Sequence, residues 1–192
     1  MKLRTHIAFG LLFGSLLNYF LEFGFGFIML TGFAGFLPDI DWAMQFKWGM
    51  GNRHRTFGHN IWFILAVSLI GFIASRSYIL LLGLLLGMLS HLIADSLTVS
   101  GVYWLYPYGK DENKFQTKGP FSMYDENNRE REKIIGTVVL TLAGFLFFIK
   151  EMEFVLLSVE GVITLGVVAF IGYVLMNKID EVIKKLIREL GL

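Results

Sequence analysis

The sequence predicts an all-α fold, a polytopic membrane bundle of about six transmembrane helices followed by a C-terminal amphipathic helix. Three observations carry that prediction. Of 192 residues, 55% are hydrophobic and 17% charged, with a mean hydropathy of +0.59, whereas soluble domains carry about 45–50% apolar and about 25% charged residues. Apolar runs occupy residues 7–21, 24–37, 59–75, 78–98, 134–149 and 154–176, several of them approaching the ~20 residues a helix needs to cross a bilayer. With six crossings, fifteen of the seventeen Lys and Arg fall on one side and only Arg76 and Lys150 on the other. Basic residues favour the cytoplasmic face, so this asymmetry predicts an inner or plasma membrane protein with both termini in the cytoplasm.

The elements follow in order. The start MKLRTH and the apolar run after it imitate a signal peptide, but bulky Asn18, Tyr19, Phe20, Leu21 and Glu22 stand where a cleavage site needs small residues. The segment is therefore expected to be retained, and His6 with it. The first two runs are short, which leaves a re-entrant hairpin as an alternative to two crossings. Pro38 lacks an N–H and restricts the residue before it, so LPDIDW leaves the membrane as a turn. The third run follows HRTFGH, and the fourth carries Gly83, Gly87, His91 and Asp95 at four-residue spacing. That spacing puts them on one helix stripe.

His6, Gly10 and Gly14 repeat the stripe in the first run. Small residues let helices approach closely in lipid, so the first and fourth spans are predicted to cross on their glycine faces, bringing His6 to His91 and Asp95. Residues 110–133, with six basic and six acidic side chains around Pro120, read as a solvated cytoplasmic loop. Glu160 interrupts the last run and marks its outer end. Residues 178–192 place Ile179, Val182, Ile183, Leu186, Ile187 and Leu190 on one face with Lys184, Lys185 and Arg188 outside it, an amphipathic surface helix. The organisation expected is a membrane domain over 1–177 and this helix over 178–192.

All four histidines and three aspartates sit in polar patches at the ends of these runs: His6; Asp39 and Asp41; His54 and His59; His91 and Asp95. Six crossings put every patch on the cytoplasmic side, while five or seven would scatter them. Imidazole and carboxylate are the ligand set of zinc and similar divalent ions, and ionisable groups in membrane segments are rarely incidental. The pattern predicts a metal site drawn from these seven residues, His6, Asp39, Asp41, His54, His59, His91 and Asp95, enough for one or two divalent ions, with zinc foremost. Trp42, Trp48, Trp62 and Trp104 lie near the same boundary, where indole prefers the headgroup region.

Other chemistries are set aside. Cysteine is absent, which excludes disulfides, thiolate metal sites and cysteine nucleophiles. A net charge of +1 offers no basic field for nucleic acid, so none is expected as a partner. H-E-x-x-H and G-x-S-x-G do not occur, and four histidines are too few for a membrane-desaturase iron cluster.

The N-terminal His, the P-D-x-D turn, H-R-x-x-G-H, H-x-x-x-D and GVYWLYP together resemble the YdjM-like family of predicted, LexA-binding, inner-membrane metal-dependent hydrolases. The resemblance covers about residues 1–108, and the His and Asp pattern is similar to that of helical zinc phospholipases C. It implies a metal-dependent hydrolase with His6, Asp39, His54, His59, His91 and Asp95 as ligands and Asp41 as ligand or base. In such a site Asp39 or Asp41, whichever is not a ligand, serves as general base, while Arg55 and Arg53 offer bidentate donors to a phosphate. A membrane phospholipid or lipid-linked ester is the expected substrate class. The competing expectations are a regulatory or scaffold protein with a structural metal, and an ion transporter, although carriers place their sites nearer the membrane midplane.

Overall fold

The computed structural model describes residues 1–40, 57–108, 116–120, 126–152 and 159–189. Among the described residues six α-helices stand where the six apolar runs were read: α1 (Leu3–Leu21), α2 (Phe25–Ala34), α3 (Ile61–Ser75), α4 (Tyr78–Ser96), α5 (Glu126–Met152) and α6 (Val159–Glu189). Two are long and apolar enough to cross a membrane by themselves, α4 and, within α5, residues 130–149. The remaining helices present apolar side chains outwards. In α3 only Ile64 and Ser68 are buried, while Trp62, Leu65, Leu69, Ile70 and Ile73 are exposed. Water disfavours so continuous an apolar surface, whereas lipid matches it.

Local chemistry sets the corners. α1 ends on Glu22 in the left-handed region, whose N–H bonds Asn18 O at 2.9 Å, while Asn18 Oδ1 accepts from Gly24 N at 2.6 Å. At the same end of the bundle α3 closes on Arg76, again left-handed, and Ser77 caps α4 by accepting from Leu80 N at 3.3 Å. At the opposite end Pro38 opens a single 3-10 turn, Leu37–Asp39, in keeping with the turn expected there. Asn60 caps α3 by accepting from Phe63 N at 2.9 Å. Two tight turns at one end leave the starts of α1 and α3 and the ends of α2 and α4 at the other.

The glycine stripes do not face each other, as expected from sequence, but clasp α2 from two sides. A Cβ on Gly10 of α1 or on Gly87 of α4 would collide with the same atom, the carbonyl oxygen of Thr31. Gly14 abuts Thr31 and Ile28, and Gly83 abuts Leu30. The spacing was right and the partner different, because α2, only ten residues long, slots between the two longer helices. α1 and α4 still meet beyond it.

The expected solvated loop is helical in its last third, since α5 begins at Glu126. Gln116–Thr117 pairs antiparallel with Val102–Tyr103 in a short ribbon. From this ribbon Trp104 O accepts from Ile61 N at 2.9 Å and Trp104 Nε1 donates to Ser96 Oγ at 3.1 Å, tying the start of α3 to the end of α4. α6 runs unbroken to Glu189, so position 177/178 falls inside a helix whose residue Val182 is exposed.

Inserting Gly87→Val should force α2 away from α4, at about 1–3 kcal/mol or more for overpacking against backbone. Gly26→Ala, with open space around it, should be neutral or stabilising by up to about 1 kcal/mol, from helix propensity. Thermal unfolding in detergent should separate the two, and equal midpoints would contradict the clasp.

Candidate metal centre

One helical turn before Gly10 lies His6, and one turn after Gly87 lies His91. The clasp on Thr31 therefore brings both rings to the same level, where they stack with centroids 3.6 Å apart and planes 16° from parallel. His59, held just ahead of the Asn60 cap, meets His91 edge-on at 4.8 Å and 71°. Asp95 lies one turn beyond His91 on α4, and Asp39 comes from the 3-10 turn after α2. Five residues from four separate segments thus share one end of the bundle, buried except for Asp39, whose side chain is 23% exposed.

The distances are those of a donor cluster. His59 Nε2 and His91 Nε2 are 3.0 Å apart. Asp39 Oδ1 lies 3.4 Å from His59 Nε2 and 3.7 Å from His91 Nε2, and Asp95 Oδ2 lies 3.6 and 3.8 Å from the same atoms. His6 Nε2 is 3.3 Å from Asp95 Oδ1 and 3.9 Å from Asp39 Oδ2. The amine of Met1 approaches Asp95 Oδ1 at 2.6 Å.

His91 Nδ1 lies 2.8 Å from Gly35 O. A carbonyl only accepts, so this nitrogen carries the proton and the lone pair of Nε2 in the neutral ring turns into the cluster. This is the orientation that outer hydrogen bonds give to metal-binding imidazoles. The side chain of His6 is fully buried, its Nδ1 makes no hydrogen bond among the described residues, and its Nε2 faces the two carboxylates. Buried polar atoms are costly to leave unpaired, and a cation between these donors would satisfy them. Burial by itself raises the Asp39 carboxyl, but the hydrogen bond with His59 and the nearness of His91 and His6 hold it well below the ordinary carboxylate range.

Of the residues expected in the site, His6, Asp39, His59, His91 and Asp95 come together. His54, Asp41, Arg53 and Arg55 lie outside the described residues, as do Trp42 and Trp48. Trp104 serves as a tie between α3 and α4, and Trp62 is half-exposed.

Glu132 was read as part of a solvated loop, yet it is fully buried in α5. Its Oε1 accepts from the backbone N–H of Lys2 and from Thr5 Oγ1, the latter at 3.0 Å. α1 has no capping side chain of its own, so Glu132 caps it from 130 residues away in sequence and steadies the turn that carries His6. A signal existed, because Glu132 continues the buried stripe of Gly136, Val139 and Ala143 at helical spacing.

The chain matches the family model described as YdjM inner membrane protein over residues 1–178. It belongs to the YdjM inner membrane protein family. This is accordingly a membrane protein, and the match extends well past residue 108 to include α5, Glu132 and most of α6. The uncharacterized protein YvsG of Bacillus subtilis (strain 168) is 34% identical over 99 residues, 50% of this chain and 54% of its own length. The chain thus spans about half of that curated relative. No solved structure matches.

Glu132→Ala should destabilise the protein by about 1–2 kcal/mol through loss of the cap and a charge-assisted hydrogen bond. Amide exchange at Lys2 to Thr5 should rise. Glu132→Gln, which keeps a carbonyl acceptor, should retain most of the protection, and unchanged exchange in the alanine variant would refute the capping role.

Proposed function

We propose that this YdjM-family protein is a membrane-embedded metal-dependent hydrolase, acting on a phospholipid or lipid-linked phosphoester at the cytoplasmic leaflet. The observation that carries the reading is the convergence of three buried imidazoles on two carboxylates, at nitrogen–oxygen separations of 3.3 to 3.9 Å. The donor set, nitrogen and oxygen without sulfur, suits zinc and other divalent ions. A divalent ion held there acts as a Lewis acid and lowers the pKa of its water to about 7. His91, oriented by Gly35 O, and His59, held beside the α3 cap, would be ligands, with His6 and both aspartates. Asp39 reaches the surface and so marks the side from which substrate and water would enter.

The substrate class rests on placement. The positive-inside count supports six crossings with both termini in the cytoplasm, which puts the cluster at headgroup depth. Next to His59, a cleft of about 520 Å³ is lined by Phe57, Asn60, Trp62, Phe63, Tyr106 and Tyr108. Its aromatic walls suit the apolar part of an amphiphile. Complete burial of the three imidazoles favours a second reading, a structural metal in a membrane scaffold, since structural sites are closed. An ion carrier fits less well, because the cluster lies at one end of the bundle rather than mid-way along it.

Elemental analysis of the purified protein should find stoichiometric divalent metal, and His91→Ala or Asp95→Asn should reduce it at least tenfold. A panel of fluorescent phospholipids and lipid-linked phosphoesters should reveal hydrolysis that these variants and chelation abolish. Metal-free wild-type protein would overturn the reading, and metal without hydrolysis in a panel that spans both classes would favour the scaffold.

A further inference from the structure

The donor atoms are sorted, and the sorting distinguishes one ion from two. Each aspartate divides its oxygens: Asp39 Oδ1 and Asp95 Oδ2 face the His59–His91 pair, while Asp39 Oδ2 and Asp95 Oδ1 face His6. In the first group the five measured separations run from 3.0 to 3.8 Å. A tetrahedral ion with bonds of ~2.0–2.1 Å separates its donors by about 3.3 Å, so four donors here frame a single ion.

The rings decide where His6 belongs. Two imidazoles bound to one tetrahedral ion have centroids about 5 Å apart, because each centroid lies about 3.2 Å from the metal along a diverging axis. His59 and His91, at 4.8 Å and 71°, match that arrangement. His6 and His91, nearly parallel with centroids 3.6 Å apart, are closer than two rings on one tetrahedral ion. The spacing of the two rings is close to the separation of the ions in two-metal sites. Paired catalytic metals are typically ~3.5–4 Å apart.

We propose a two-ion centre in which Asp39 and Asp95 are bridging carboxylates. His59, His91, Asp39 Oδ1 and Asp95 Oδ2 enclose the first divalent ion. His6 holds the second with Asp39 Oδ2 and Asp95 Oδ1. The first ion has four protein donors, whereas the second has three among the described residues, so the second is the one with coordination space for a phosphoryl oxygen or water. This assignment rests on the metal reading above and adds ion count, ligand partition and the identity of the open position.

The test is to load the full chain, purified in detergent, with Mn²⁺, remove weakly held metal, and measure stoichiometry together with the electron paramagnetic resonance spectrum. The wild type should hold two ions per chain with the exchange-coupled signal of a bridged pair. His6→Ala should hold one ion with an uncoupled signal, and His91→Ala should hold at most one. A single uncoupled ion in the wild type would overturn the two-ion centre while leaving the metal reading intact, whereas no ion at all would remove both. Because the wild-type spectrum decides the count, a variant that fails to fold does not shelter the proposal. Equal loss of both ions from folded His6→Ala and His91→Ala would overturn the partition.

Discussion

The close approach of three helices around the Thr31 carbonyl is the contact on which the rest of this structure depends. Gly10 presses on it from α1 and Gly87 from α4, and a side chain at either place would occupy the space of a backbone oxygen. Lipid gives helices no hydrophobic reason to associate, so close van der Waals contact must supply the attraction. From this contact one helical turn leads to His6 on one side and His91 on the other, and the end of α2 delivers Asp39 between them. The geometry of the polar cluster is thus inherited from apolar packing a turn away.

The cluster itself works against burial. Two carboxylates and three imidazoles placed where water is scarce lose hydration that is worth several kcal/mol per ionised group. Such an assembly persists when its members satisfy one another or share a cation, and the 3.0–3.9 Å separations allow both. The surroundings supply orientation rather than neutralisation: Gly35 O fixes the ring of His91, Asn60 fixes the backbone beside His59, and Glu132 holds the first turn of α1. Each partner comes from a different segment, so the site doubles as a junction of the bundle. This dual role explains why a membrane protein would carry both a closed, structural-looking set of donors and one edge, at Asp39, that reaches the surface.

Much of this was legible along the chain. Apolar run length located all six helices to within a few residues at most ends, because a lipid-facing helix is hydrophobic all round and needs no periodic pattern to be recognised. α5 and α6 are the exceptions, the first because its opening turns are charged and read as loop, the second because it runs on through the amphipathic stretch read as a separate helix. Counting the runs as crossings led to the expectation that all four histidines gather on one side with Asp39, Asp41 and Asp95, and of these the structure brings His6, Asp39, His59, His91 and Asp95 together. Glu132 escaped because a glutamate among five other acidic residues reads as solvated, and only the buried stripe shared with Val139 and Ala143 sets it apart.

The sequence by itself determined the helical elements, the end of the bundle at which the polar residues gather, and the glycine spacing that permits close contact. Those properties follow from local sterics and from the cost of placing each residue type in lipid or water. Only the tertiary structure decided that the glycines clasp α2, that His6 stacks on His91 while His59 meets it edge-on, and that each aspartate divides its oxygens between them. A glycine declares that a neighbour can come near but not which one, and a ring's orientation depends on hydrogen bonds from segments that chain order does not connect.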